Sequence, residues 1–238
     1  MRSLLAGATA LADLSLPYAM AMAASLGQPL VVELFTSQGC SSCPPADAYA
    51  AELARTRPDL LVLDFHVDYW NALGWHDPFS LPAATARQVA YDRVLHTETY
   101  TPQIVVGGVA QAIGSVRVDV RDAITAAKAG AEARAPVALS LAAENGQLRI
   151  AVGAGTARGT VWLIGYDRSH QTPIGRGENA GLTETEADIV RSVVKVSDWS
   201  GAAATWHAAR PAGERFAVLL QRPNGVILAA ARLPSTDS

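Results

Sequence analysis

Apolar positions along the chain change their period several times, and the changes mark the elements. Leu30 to Phe35 is a short, nearly continuous apolar run bounded by Pro29 and by Thr36-Ser37-Gln38-Gly39, and it predicts a buried strand. From Cys43 to Arg57 the composition turns to Ala, Glu, Leu and Arg. Ala46, Tyr49, Ala50 and Leu53 share one helical stripe there and Pro44 suits a first turn, so a helix is expected. Asp59 to Val67 predicts a second buried strand, and Leu81 to His96 a second helix after a loop rich in glycine and aromatic residues. Tyr100 to Val109 reads as a third strand broken by Pro102, with Gly107-Gly108 turning into Val109 to Ile113. Asp119 is the expected cap of a last helix that runs to Ala133.

The pattern changes character at Ala135-Pro136. Val137 to Ala143 and Leu148 to Val152 flank Glu144-Asn145-Gly146 as a hairpin. Thr160 to Tyr166, Asp188 to Val196, Arg215 to Gln221 and Val226 to Leu233 add further strands, with no helical stripe among them. An α/β domain over residues 29–134 followed by a small all-β, sandwich-like domain over 135–238 is the expected organisation. Residues 1–28 read as an export signal. Arg2 precedes the apolar run Leu4 to Ala12, and Ala19-Met20-Ala21 and Ala21-Met22-Ala23 offer small-x-small cleavage sites, although Asp13 interrupts the pattern. The alternative for this segment is an Ala-rich N-terminal helix. No later stretch approaches the ~20 apolar residues of a membrane span. A periplasmic or secreted product, without a membrane span once the signal is removed, is therefore expected.

Composition narrows the function classes. Half of the 238 residues are hydrophobic and 17% are charged, enough apolar surface for a sizeable core. Lys plus Arg is 19 against 22 for Asp plus Glu, with no basic run, which argues against a nucleic-acid partner. There are 2 cysteines, too few for a disulfide-stapled scaffold, and they form Cys40-Ser41-Ser42-Cys43 at the start of the first predicted helix.

A cysteine at a helix N-terminus has its thiolate stabilised by unpaired N–H groups and the macrodipole, so Cys40 is the expected acidic thiol. Cys43, one turn into the helix, is placed to resolve a mixed disulfide on Cys40. The two intervening serines are small and polar and leave the pair accessible. A zinc site needs four ligands, and the sequence has no second CxxC and no HxxxH to complete one. A purely structural disulfide across two residues would close a very short loop and constrain the unfolded chain little.

Strand, CxxC and helix, followed 59 positions after Cys43 by Pro102, resemble the thioredoxin fold. The resemblance implies that Pro102 is a cis-proline facing the cysteines, keeping metals off them, and that Tyr100 and Thr101 present backbone to a substrate chain. More narrowly, Glu33 to Asp47 resembles a family of secreted thioredoxin-like bacterial proteins classified by sequence but without an assigned function. Phe65-His66-Val67-Asp68-Tyr69-Trp70, Leu73-Gly74-Trp75, Asp77-Pro78-Phe79, Tyr100-Thr101-Pro102-Gln103 and Gly177-Glu178-Asn179 match the same family. Gly39 and Ser41-Ser42 depart from ordinary thioredoxin, which has Trp before the cysteines and Gly-Pro between them.

Around this pair the candidate residues divide by role. Glu33 matches the buried acid that, in thioredoxins, takes the resolving cysteine's proton; a solvent-facing carboxylate is the alternative. His66, at the end of a buried strand, suits thiolate stabilisation or proton transfer, or a hydrogen-bonded place in the core. Asp68, Tyr69, Trp70 and Trp75 suit a wall of the active-site cleft or an aromatic-packed loop. Gly175 to Gly181 does not lead from a strand into a helix, so it is read as turn chemistry, with a contact to the first domain as a hypothesis. The expected function is an exported thiol-disulfide oxidoreductase in which Cys40 and Cys43 exchange and Pro102 and Thr101 position the substrate. No cofactor or metal is called for. The partners are protein or small-molecule thiols and disulfides and an unidentified redox partner. The alternatives are copper handling through Cys40, Cys43 and His66 or His76, and a non-enzymatic partner-binding module on the same scaffold.

Overall fold

The computed structural model describes residues 27–234, so the cleavage sites and apolar run of the expected export signal lie outside the described residues. The first half runs β1 (Leu30–Thr36), α1 (Pro44–Thr56), β2 (Leu60–His66), a 3-10 turn (Asn71–Leu73), α2 (Pro82–Leu95), β3 (Gln103–Val106), β4 (Ala110–Ile113) and α3 (Arg117–Glu132). The second half contributes β5 (Leu139–Glu144), β6 (Gln147–Val152), β7 (Gly159–Pro173), β8 (Thr183–Trp199), β9 (Ala204–Ala208), β10 (Arg215–Gln221) and β11 (Ile227–Arg232).

An eight-stranded sheet in the order β11-β10-β7-β8-β2-β1-β3-β4 carries the molecule, and β5-β6-β9 form a small antiparallel sheet. β1 and β2 are parallel in the register Leu30↔Leu60 to Thr36↔His66, and β3 runs antiparallel to both β1 and β4. Alternation along β1 sorts its side chains between two layers. Val32 and Leu34 join Tyr49 and Leu53 of α1 and Ile124 of α3, whereas Val31 and Phe35 join Tyr91 of α2. The helices therefore cover both faces of this part of the sheet.

The expected boundary after residue 134 does not divide the core. Ile164 and Tyr166 of β7, Val190 of β8, Leu219 of β10 and Ala230 of β11 pack in the same cluster as Phe35, Phe65 and Tyr91. Four of the strands after Pro136 extend the first sheet, while β5, β6 and β9 build the small one: β8 joins β2 at Asp64↔Ile189, and β7, β10 and β11 follow outward. What resembles a sandwich is the small sheet, whose Leu139, Leu148 and Ile150 pack on Val161, Leu163, Phe216, Val218 and Leu220.

Local differences from the sequence pattern have identifiable causes. Pro44 and Pro45 occupy the first turn of α1, so Cys43 is its N-cap and does not lie a turn inside it. Asp119 is in the first turn of α3, where it favours the helix dipole, but the N-cap is Val116. β7 and β8 reach 15 and 17 residues, well beyond the apolar runs that predicted them, and β9 has no counterpart in those runs. The Thr101–Pro102 peptide is cis, as the resemblance implies.

Candidate functional site

The site begins where β1 ends. Thr36 closes the strand, Cys40 N–H donates to Ser37 O (3.0 Å), and Cys43 N–H donates to Cys40 O (3.1 Å), folding the four-residue loop back toward α1. Cys40 and Cys43 form a disulfide. Proline supplies no N–H at the first two positions of α1, and the N–H groups of Ala46 and Asp47 both donate to Cys43 O. The helix end thus presents its dipole to the sulfurs with few free donors.

The pair is not open as its serines suggested. Cys40 is 1% and Cys43 0% exposed, while Ser41 and Ser42 face solvent. The cover is the Gly175 to Gly181 loop between β7 and β8, which does contact the first half of the chain. Asn179 Nδ2 lies 3.0 Å from both Gln38 O and Cys40 O, and Ser41 N–H donates to Glu178 Oε2 at 3.2 Å. Hydrogen bonding from Ser41, its hydroxyl first and its N–H second, holds the Glu178 carboxyl below its ordinary pKa. Gly74 and Gly177, at φ of 108° and 78°, let the two loops meet backbone to backbone; a Cβ on Gly74 would lie 3.4 Å from Gly177 Cα.

Two of the four expected wall residues reach the cysteine loop. Trp75 Nε1 donates to Gln38 Oε1 (3.1 Å). Trp70 Cβ lies 3.3 Å from where a Gly39 Cβ would stand, and its Nε1 donates to Thr101 Oγ1 (2.9 Å). Asp68 and Tyr69 turn instead to α2: Thr85 Oγ1 donates to Asp68 Oδ1 (2.6 Å) and Tyr69 OH to Gln88 Oε1 (3.3 Å). Pro102 O accepts from Gly114 N–H, and a Cβ on Gly114 would stand 3.3 Å from Pro102 Cβ and 3.0 Å from Ala46 Cβ, which puts the proline beside the first turn of α1. Pro102 and Thr101 are thus gathered around the same end of the molecule as the disulfide.

Glu33 is not part of that gathering. It shares the β1 face of Val31 and Phe35, where Arg87 Nε donates to it at 2.5 Å and the Tyr91 hydroxyl donates to its other oxygen. α1 covers the opposite face. A carboxylate engaged in a buried pair across the sheet is not placed to take a proton from Cys43.

Below the cysteine loop the structure assembles a buried ionisable cluster that sequence reasoning found only in part. His66 is fully buried; its Nδ1 lies 2.7 Å from Asp77 Oδ2, and its Nε2 lies 3.5 Å from Glu186 Oε1 and 3.7 Å from Asp64 Oδ2. Burial by itself pushes the imidazole down, but Asp77 and Asp64 outweigh it and hold its pKa well above the ordinary value. Burial also pushes Asp77 up, yet His66 and the N–H groups of Gln38 and Phe79 hold it low. Burial, reinforced by neighbouring carboxylates, raises Asp47 well above its usual range and pushes Glu184 to about 7. Burial raises Asp64 and takes Glu186 to about 7, although His66 opposes both. The signal available in the sequence was Thr183-Glu184-Thr185-Glu186, whose two-residue spacing puts both glutamates on one face of a strand. His76, in contrast, is exposed.

A family model described as a protein of unknown function, DUF1223, matches residues 31–221. The crystal structure of protein AGR_C_4864 from Agrobacterium tumefaciens is similar at 31% identity and a TM-score of 0.73, covering 88% of this chain and 95% of that one. HBP35 of Porphyromonas gingivalis shares the fold at a TM-score of 0.56 and 13% identity, over 89% of this chain and 78% of that one. Comparison with curated proteins finds no match.

Proposed function

Because the chain belongs to the DUF1223 family, whose function is unknown, its activity must be read from its own site, and we propose that it is an exported thiol-disulfide oxidoreductase on a thioredoxin-like scaffold. The observation that carries this reading is the Cys40–Cys43 disulfide at the N-terminus of α1, directly after the central strand β1. The scaffold reading is supported by the order β2-β1-β3-β4 with β3 antiparallel, by helices on both faces, and by Thr101-Pro102 leading into β3 beside α1.

In the reduced protein the Cys40 thiolate attacks a substrate disulfide and expels one substrate thiolate, which leaves a mixed disulfide on Cys40. The Cys43 thiolate then attacks Cys40 Sγ, re-forms the Cys40–Cys43 bond and expels the second substrate thiolate; two electrons have passed to the substrate. Run backward, the same steps oxidise a dithiol. Trp70 and Thr101 form one side of the approach to Cys40, and Glu178 and Asn179 lie across it, so the substrate enters as that loop lifts. Residues 29–134 carry the exchange in this reading and residues 135–238 supply its cover. A periplasmic or secreted location is supported by the disulfide itself. Among the described residues no helix is long and apolar enough to cross a membrane.

Cys40→Ser is expected to abolish reduction of insulin by the purified protein, and Cys43→Ser to accumulate mixed disulfides visible as mass adducts on non-reducing gels. Failure of the wild type to exchange with insulin, glutathione disulfide or dithiothreitol in either redox state would overturn the reading.

A further inference from the structure

Asp47 on α1 and Glu184 and Glu186 on β8 bring one carboxylate oxygen each to within 4.8 Å of one another, all three residues being buried. One oxygen of each is already engaged. Thr36 Oγ1 donates to Asp47 Oδ1 (2.7 Å), Gln38 Nε2 to Glu186 Oε2 (2.8 Å) and Asn179 Nδ2 lies 3.2 Å from Glu184 Oε1. Asp47 Oδ2, Glu184 Oε2 and Glu186 Oε1 are left without a hydrogen-bond partner. Each acid is therefore oriented by one neutral donor and has one free oxygen in the interior, where an unpaired charge is costly.

An imidazole approaches the same place from the side of Glu186. His66 is fully buried, its Nδ1 is anchored on Asp77, and its Nε2, without a hydrogen-bond partner, lies 3.5 Å from the free Glu186 Oε1 and 3.7 Å from Asp64 Oδ2. A carboxylate that fixes one ring nitrogen so that the other faces a cluster of oxygens is the supporting arrangement of a metal-binding histidine.

From this geometry we infer that Asp47, Glu184, Glu186 and His66 form a binding site for a divalent cation of the Mn2+ or Zn2+ class. Three oxygens and one imidazole nitrogen suit these ions: carboxylates favour Mn2+, imidazole favours Zn2+, and both ligand types occur together in zinc sites. The cation takes the place of the proton that His66 holds, compensates the converging carboxylates and ties β8 to α1 under the cysteine loop. The site is independent of the thiol-disulfide reading, since it uses neither sulfur.

The test is a calorimetric titration of the full-length, oxidised protein, stripped with chelator, so that the disulfide keeps both sulfurs from ligating. Binding of Mn2+ or Zn2+ at one ion per chain with a rise in melting temperature is expected. Glu184→Gln and Glu186→Gln should each weaken it at least about 10- to 100-fold, the range seen when groups supporting a metal are lost. Electron paramagnetic resonance of the wild type with Mn2+ bound should show coupling to an imidazole nitrogen that is lost in His66→Gln. The inference is overturned if the oxidised wild type takes up neither ion at millimolar concentration, or if uptake is undiminished in both glutamate variants. Should those variants not fold, absence of the nitrogen coupling in the wild type overturns it.

Discussion

Arg87 shows how a single side chain can hold two halves of a core. Its guanidinium donates to Glu33 on β1, to the Tyr91 hydroxyl and to Gln221 on β10, and it lies 5.6 Å over the Phe65 ring. Burial pushes the guanidinium pKa down, but Glu33 and Tyr91 more than offset it, so Arg87 stays charged. Arg87→Leu would strand the Glu33 carboxylate in the interior, and a loss of ~3–5 kcal/mol is expected by urea denaturation. Because Glu33 and the cysteines lie on opposite sides of β1, thiol exchange by the remaining folded protein should be unchanged in the same variant. The cysteines were legible in the sequence as a pair at a helix start. The error with Glu33 came from parity. Alternation tells that Glu33 shares a face with Val31 and Phe35, but not which face the following helix will cover.

At the scale of the element, α1 has an unusual start. Two prolines remove the donors that a helix N-terminus ordinarily offers to a thiolate, and Cys43 O takes the next two. Pro45→Ala restores one N–H at the end of the dipole. Alkylation of reduced Cys40 by iodoacetamide at pH 7 is expected to quicken roughly two- to fivefold, the equivalent of the ~0.3–1 kcal/mol that a helix terminus contributes to a nearby anion. The strands illustrate the opposite limit of reading from sequence. β1, β2, β6 and β10 announce themselves by apolar residues, whereas the first part of β8 buries Glu184 and Glu186 at the positions where a strand normally buries Val or Ile. A hydrophobic pattern cannot register a strand whose inward positions are acids, and so the half of the site built from β8 was invisible to that pattern and carried only by the two-residue spacing of the glutamates.

Over the whole molecule, the sheet is continuous but its two parts meet at the single pairing Asp64↔Ile189, and most of the union is made by side chains packed around Phe35, Phe65 and Tyr91. Gly108 meets the turn after β10 so closely that a Cβ there would stand 1.9 Å from Gly225 O. A fragment ending at residue 134 would expose the β2 edge and the apolar residues of that cluster to water. It is expected to remain unfolded or to aggregate, as judged by circular dichroism and by binding of a hydrophobic dye, even though it contains both cysteines. The change of pattern at Ala135-Pro136 is real, since α/β gives way to β there, but a change in secondary structure is not a division of the core.

Asn179, the residue that spans Gln38 O and Cys40 O, lies 139 positions after Cys40. An exported chain delivered N-terminus first therefore presents both cysteines to the oxidising compartment while their cover has yet to arrive. For that interval the thiols are as accessible as those of any unfolded peptide, and oxidation to the disulfide needs no opening of the finished protein. Only later reduction and re-oxidation must wait for the loop to move, which makes the first closure of the Cys40–Cys43 bond kinetically different from every one that follows.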